Sequence, residues 1–162
     1  MLGRDHVDIS YSLHNLGRIL GKQGHLEEAV ELFQRGLEIR EKALGPDHPA
    51  VAYLTHSYGN VRVQSGHLEA AGKLFERTLA IQRVALGEDH LSTNDAREGL
   101  AIVRTLEGRY DEAIGVLENA VAHGYANLAR LGEEPFGQLA SHPRFQTLTA
   151  RLRERAGGER MN

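Results

Sequence analysis

Apolar residues return along this chain at helical spacing. Ile9, Leu13, Leu16 and Leu20 recur every three or four positions and predict one amphipathic helix face. Gly24 interrupts that pattern where a helix-ending glycine can take positive φ. Ala29, Leu32, Phe33, Gly36 and Leu37 then lay out a second stripe, expected to end near Leu44 with Gly45 as a left-handed cap. Pro46 stops this helix, and Pro49 suits the first turn of the next, where no amide partner is lost. Asp47 or His48 is the N-cap candidate.

The same phrases come back at a fixed interval. Leu2-Gly3-Arg4-Asp5-His6 returns as Leu44-Gly45-Pro46-Asp47-His48 and as Leu86-Gly87-Glu88-Asp89-His90, with an offset of 42 residues both times. At that offset also stand Gly24, Gly66 and Gly108; Ala29, Ala71 and Ala113; Phe33, Phe75 and Leu117; Leu37, Leu79 and Val121. Small residues recur as well: Gly17, Gly59 and Ala101 at one repeat position, and Gly36, Thr78 and Ala120 at another. Small side chains let helices approach to the close end of about 8–10 Å, with Phe33 and Phe75 filling the space beside them. One helix pair cannot bury its apolar face, but stacked pairs share a continuous core.

The pattern Leu13-x-x-Leu16-Gly17-x-x-Leu20, followed by Ala29-x-x-x-Phe33-x-x-Gly36, resembles the tetratricopeptide motif. The 42-residue period and the Leu44–Pro49 linker are similar to the longer variant found in kinesin light chains and many bacterial proteins. The resemblance implies an all-α fold, a right-handed α-α superhelix of three helix pairs plus a C-terminal capping helical segment. The repeats are expected over residues 1–123, as units of about 2–43, 44–85 and 86–123. Two positions depart from the motif. Arg62 and Arg104 stand where Leu20 does, and Thr55 and Arg97 where Leu13 does, making the second and third A-helices less apolar than the first.

After Val121 the period fails. Residues 124–155 read as an incomplete fourth unit and a capping helix, with a short helix in His123–Leu131, a brief helical turn at Phe136–Leu139 and a last helix begun by Ser141, His142 and Pro143. Phe145, Leu148 and Leu152 form that last helix's apolar face. Residues 156–162 carry no stripe and are expected to be disordered. The chain opens inside the linker phrase, which suggests a fragment or a truncated member of the family. Its first helix then presents an apolar edge, open to self-association.

Composition narrows the function classes. The net charge of -3 gives no argument for nucleic acid, and no apolar run approaches the ~18 residues of a membrane helix. Cysteine is absent, so disulfide and thiolate chemistry are excluded. No signal peptide is visible, and a cytoplasmic address is the default. Gly21-Lys22-Gln23-Gly24 has neither the spacing nor the Ser/Thr of a phosphate loop, and no Gly-x-Ser-x-Gly elbow occurs. The expectation is a protein that is not an enzyme and needs no cofactor.

Nine histidines raise the question of metal. His6, His48 and His90 recur with the linker, but equivalent residues of neighbouring repeats lie on the order of 15–20 Å apart. Zinc ligands converge within about 2 Å of one ion, so these histidines, like His25 and His67, are expected at helix starts and no metal site is expected. Glu27-Glu28 and Asp111-Glu112 fall in first turns, where carboxylates favourably meet the helix dipole. Arg151, Arg153, Arg155 and Arg160 lack interleaved aromatics and read as a solvated helix end.

In the resembling family the A-helices line a concave groove that holds peptides. Projected onto this chain, that implies Tyr11, His14, Asn15, Arg18 and Lys22 from the first A-helix. It implies Tyr53, His56, Asn60 and Gln64 from the second, and Asp95, Glu98 and Ile102 from the third. Tyr11 and Tyr53 are equivalent, as are His14 and His56, and tyrosine is enriched at binding hot spots. Charge runs from Arg18 and Lys22 to Asp95 and Glu98, so an extended peptide with its acidic portion toward the first repeat is expected. Titration of His14 and His56 near pH 6.5 would make binding pH-sensitive. The expected partner is thus a protein or peptide, with no nucleic acid and no membrane. The alternative is a regulatory or structural repeat segment of a larger bacterial signalling protein. A small-molecule sensor would need an apolar pocket, which this polar set does not promise.

Overall fold

The computed structural model describes residues 6–158. Leu2–Asp5 of the first linker phrase lie outside the described residues. Three antiparallel helix pairs follow one another: α1 (Val7–Gln23) with α2 (Leu26–Leu44), α3 (Pro49–Gln64) with α4 (Leu68–Leu86), and α5 (Leu91–Leu106) with α6 (Tyr110–Ala122). A short α7 (Leu128–Leu131), a 3₁₀ turn (Phe136–Leu139) and α8 (Pro143–Gly158) close the order. No strand occurs among the described residues.

The punctuation works as residue chemistry requires. His6, His48 and His90 are the N-caps of α1, α3 and α5, each Nδ1 accepting from the amide two residues on. The bonds to the Ala50 and Ser92 amides are 3.1 Å, and that to Asp8 is 3.3 Å. This satisfies one of the donors a helix start leaves open. His25 and His67 also precede helices but make no side-chain cap. Gly24 ends α1 in the left-handed conformation at φ 87°. Gly45 differs from expectation: its φ is 89° but its ψ is 156°, which turns the chain away from the helix instead of curling it. Gly87 does the same with no proline after it, so the linker geometry and not Pro46 sets this conformation.

The shared core sits where small residues meet phenyl rings. Ala29, Phe33, Ala71, Phe75, Ala113, Leu117 and Ala120 are fully buried on the B-helices α2, α4 and α6. A Cβ built on Gly17 would sit 3.2 Å from the Phe33 ring, and one on Gly59 3.0 Å from the Phe75 ring. Phe33 also stacks on Tyr58 of the next A-helix, with centroids 5.7 Å apart. Each such ring supplies roughly 1.5–3 kcal/mol of burial.

The residues that depart from the motif are buried or half-buried and each has polar partners, although the Nε atoms of Arg62 and Arg97 make no hydrogen bond. Thr55 pairs with Thr78 at 2.8 Å in the interior. Arg97 is buried, donating to the Glu88 carbonyl and the Asn94 side chain, 2.7 Å each, and to the Glu88 carboxylate. Arg62 donates to the Tyr58 hydroxyl, and Arg104 pairs with Glu76 and Glu107. One residue expected in the packing stripe is not there: Leu16 is 46% exposed, because no helix among the described residues lies on that side of α1.

The C-terminal segment folds back on α6. Leu131, Phe136, Leu139, Phe145, Leu148 and Leu152 join Ile114, Leu117 and Val121 in one cluster. The short helix begins only at Leu128, where Asn127 caps it by accepting from the Arg130 amide. The last helix runs through Gly158, so Ala156–Gly158 are helical and not the start of a disordered tail. Residues 159–162, with Arg160, lie outside the described residues, and Arg151, Arg153 and Arg155 are exposed.

Gly99 is the tightest of these approaches, since a Cβ there would sit 2.4 Å from the Phe75 ring. Gly99→Ala is therefore expected to destabilise the fold by about 1–3 kcal/mol through overpacking. Gly115→Ala in α6 meets nothing nearer than 4.0 Å and is expected to be neutral or stabilising by up to about 1 kcal/mol. Urea unfolding of the two variants measures the contrast.

Candidate peptide-binding groove

The three A-helices α1, α3 and α5 lie side by side and leave a trough along their outer faces. A cavity of about 480 Å³ spans all three, with Arg18 and Lys22 from α1, Asn60 and Gln64 from α3, and Ile102 and Leu106 from α5 on its walls. Its floor is apolar. Phe33 and Phe75 reach up between the A-helices, and Val61, Val63 and the bare backbone of Gly99 complete it. The polar surface residues did not promise this floor, because the rings belong to the B-helices. Two smaller recesses of about 280 and 250 Å³ continue the trough past Tyr53, His56, Asp95 and Glu98.

Nine of the twelve expected residues therefore line one continuous depression: Arg18, Lys22, Tyr53, His56, Asn60, Gln64, Asp95, Glu98 and Ile102. Asn15 is exposed outside these cavities. Tyr11 is likewise on the surface, and its ring covers the buried Arg40 guanidinium at 4.3 Å. His14 is only 1% exposed and cannot be touched by a ligand. Its Nε2 bonds the Ser57 hydroxyl at 2.9 Å, and its ring packs edge-on against Tyr53 and tilted against Phe33.

The family to which this arrangement belongs is decided by its sequence model. The tetratricopeptide repeat model matches residues 8–82 and 55–123. The chain belongs to the tetratricopeptide repeat family. Its superhelix is similar to solved structures of the kinesin-light-chain-like kind. One is a Podosopora anserina kinesin-light-chain-like protein with nearly identical TPR-like repeats, 26% identical over 95% of this chain and 78% of that one, with a TM-score of 0.78. A single-substitution variant of that protein aligns over 100% of this chain and 81% of its own, at 24% identity and a TM-score of 0.80. BtubC (BKLC) from P. vanneervenii has the same fold at 16% identity, over 97% of this chain and 68% of that one, with a TM-score of 0.77. No curated protein matches the sequence significantly.

The electrostatics of this tetratricopeptide groove are less symmetric than the sequence implies. Glu98 is already engaged from within: the Tyr125 hydroxyl donates to it at 2.7 Å and Arg130 at 3.0 Å. Burial together with that bond to Glu98 raises the Tyr125 pKa, so the phenol stays protonated as a donor. Arg130 and Pro135 form a wall at the third-repeat end of the cavity. Neither was foreseen, because α7 reaches the groove only after the chain has turned back across α6. Asp95 faces His56, and burial raises its pKa although His56 opposes the shift. No carboxylate lines the main cavity beside Arg18 and Lys22, whereas Arg18 shares the adjoining recess with Asp95.

His14 does not titrate near neutrality. Burial first, then the charges of Arg40 and Arg18, push its pKa down to about 4. Burial also lowers His56, against the pull of Asp95 and Glu98. The His14 ring is therefore no proton switch near pH 6.5. The folded protein binds the His14 proton less readily than the unfolded chain, so neutral His14 favours folding. Its contribution is full above pH 6.5 and declines as the pH falls toward about 4. Replacing His14 by Gln is expected to flatten the fall in urea midpoint between pH 7 and pH 4.5, relative to the parent chain measured at the same points.

Proposed function

We propose that this chain is a protein-interaction scaffold that holds an extended peptide along the α1–α3–α5 trough, with the peptide's acidic portion over Arg18 and Lys22. The observation that carries this reading is the cavity in which Arg18, Lys22, Asn60, Gln64 and Ile102 meet above the Phe33 and Phe75 rings. Its volume of about 480 Å³ is within the range of ligand sites. The mixture suits a peptide: apolar floor for side chains, amide and cationic rims for backbone and carboxylates. Tyr53, 55% exposed beside the cavity, offers a flat amphipathic contact. Membership of a family of interaction repeats supports a binding role without catalysis of its own, and no helix among the described residues is long and apolar enough to cross a membrane.

Arg130 refines the direction of the ligand. Its guanidinium serves Glu98, Glu133 and the Glu134 carbonyl, so it closes that end of the trough more than it recruits an anion. The acidic attraction then concentrates at the first repeat.

Fluorescence anisotropy with two labelled peptides of equal apolar content, one Asp/Glu-rich and one Lys/Arg-rich, tests this reading. The acidic peptide is expected to bind, and Arg18→Glu combined with Lys22→Glu to weaken it at least about tenfold. Arg151→Glu on exposed α8 is expected to leave binding as it was. Equal affinity for both peptides, or indifference to charge reversal at Arg18 and Lys22, would remove the basis for the proposal.

A further inference from the structure

α1 carries a face that its counterparts in the stack bury. Ser12, Leu16 and Ile19 stand 42 positions before Leu54, Tyr58 and Val61, and the same interval again before Ala96, Leu100 and Val103. The six later residues are 0–8% exposed. Leu54, Tyr58 and Val61 share a cluster with Phe33 of the preceding B-helix, and Leu100 and Val103 share one with Phe75. Leu16 and Ile19 are 46% and 53% exposed. Repeat register therefore identifies them as stacking positions without a neighbour among the described residues.

The rest of the chain narrows what can lie there in a solution of this protein. Each B-helix already has its seam filled: α2 by α3, α4 by α5, and α6 by the C-terminal segment. α8 turns Thr147, Arg151 and Glu154 outward and ties Arg144 to Glu118 and Asp111 of α6, so its outer surface is polar among the described residues. Head-to-tail stacking of copies, which would build open filaments, would thus set the apolar α1 face on the polar outer surface of α8. Val84, Leu86 and Leu91 are exposed as well, but among the described residues of the three A-helices α1 alone exposes apolar side chains at the register positions that the stack itself uses, so the matching face of a second copy is its own α1.

We propose that two copies pair through α1, antiparallel about a two-fold axis near Asn15 and Leu16. Asp8, Ser12, Leu16, Ile19 and Gln23 fall on one side of the helix at spacings of four, four, three and four. Antiparallel pairing brings Leu16 and Ile19 of both copies together at the centre. It also sets exposed Asp8 in the first turn of one helix against Lys22 in the last turn of the other, twice by symmetry. A parallel arrangement would instead face Asp8 with Asp8, and would align the helix dipoles unfavourably. A 17-residue helix is only about 25 Å long, so the interface is small and the dimer weak and reversible.

Analytical ultracentrifugation of the full chain over a concentration series up to about 1 mM tests the pairing. The expected result is a concentration-dependent shift from monomer to dimer and no larger species. Leu16→Glu with Ile19→Glu changes exposed residues and is expected to leave the far-UV circular dichroism unaltered while holding the chain monomeric. Asp8→Lys is expected to weaken association at least about tenfold, and adding Lys22→Asp to restore it. A parent chain that stays monomeric throughout, a dimer that survives the Leu16/Ile19 change, growth into polymers, or a charge swap that fails to restore pairing would each overturn the proposal. Peptide binding in the trough is measured separately, so loss of one property does not decide the other.

Discussion

Phe33 and Phe75 each press a phenyl ring against helix backbone that carries no side chain, and the shape of the molecule follows from those contacts. Gly17 receives Phe33, while Gly59 and Gly99 receive Phe75 from two sides. Because the rings come from B-helices and pass between A-helices, one residue type does two jobs. It sets how closely the pairs stack, and it floors the trough on the far side. In the third repeat the corresponding residue is Leu117, packed into the cluster with the C-terminal segment. The aromatic floor ends there.

Polar side chains inside the stack extend the same logic. Thr55 and Arg97 replace a leucine of the first unit, and an unsatisfied buried group of either kind would cost on the order of 1–3 kcal/mol. Thr55 meets Thr78, which occupies the small-residue position held by Gly36 and Ala120. Arg97 is fastened to the preceding linker through Glu88 and to Asn94, whose amide in turn donates to the His123 carbonyl at 2.8 Å. A motif position lost to a polar residue has thus become a tie between one repeat's linker and the next repeat's end. The sum is a stack in which each junction has its own chemistry: aromatic stacking at Phe33–Tyr58, and a guanidinium web at Arg97.

Much of this was readable from residue spacing. The 42-residue offset places the helix pairs, and small residues beside Phe33 and Phe75 announce close packing. Taking the polar face of each A-helix brought out nine residues that line the trough's cavities. His14 was misplaced for a physical reason. A histidine beside polar neighbours looks solvated in one dimension, but Ser57, Tyr53 and Phe33 converge on it from sequence positions far away. Leu16 failed in the opposite sense, since an apolar residue is buried only if something comes to cover it. Arg130 carries no local mark at all. Its place over Glu98 depends on a chain reversal spanning 32 positions, and periodicity is blind to such contacts.

The two ends of the stack solve the same problem differently, and this links stability to the trough. At the C-terminal end, residues from Tyr125 to Leu152 cover α6 and keep a polar exterior. The same segment sends Tyr125 and Arg130 to Glu98, and so fixes where the trough stops. Whatever loosens this cap must therefore also alter the third-repeat wall of the groove, because one stretch of chain forms both. At α1 the stacking face and the trough face are neighbours on a single helix, with Leu16 and Ile19 on one side and Arg18 and Lys22 toward the other. Covering the first would leave Arg18 open to the trough, while Lys22 stands at the border of both faces. If both proposals hold, that one lysine makes the end of α1 the place where pairing of copies and peptide recognition compete for charge.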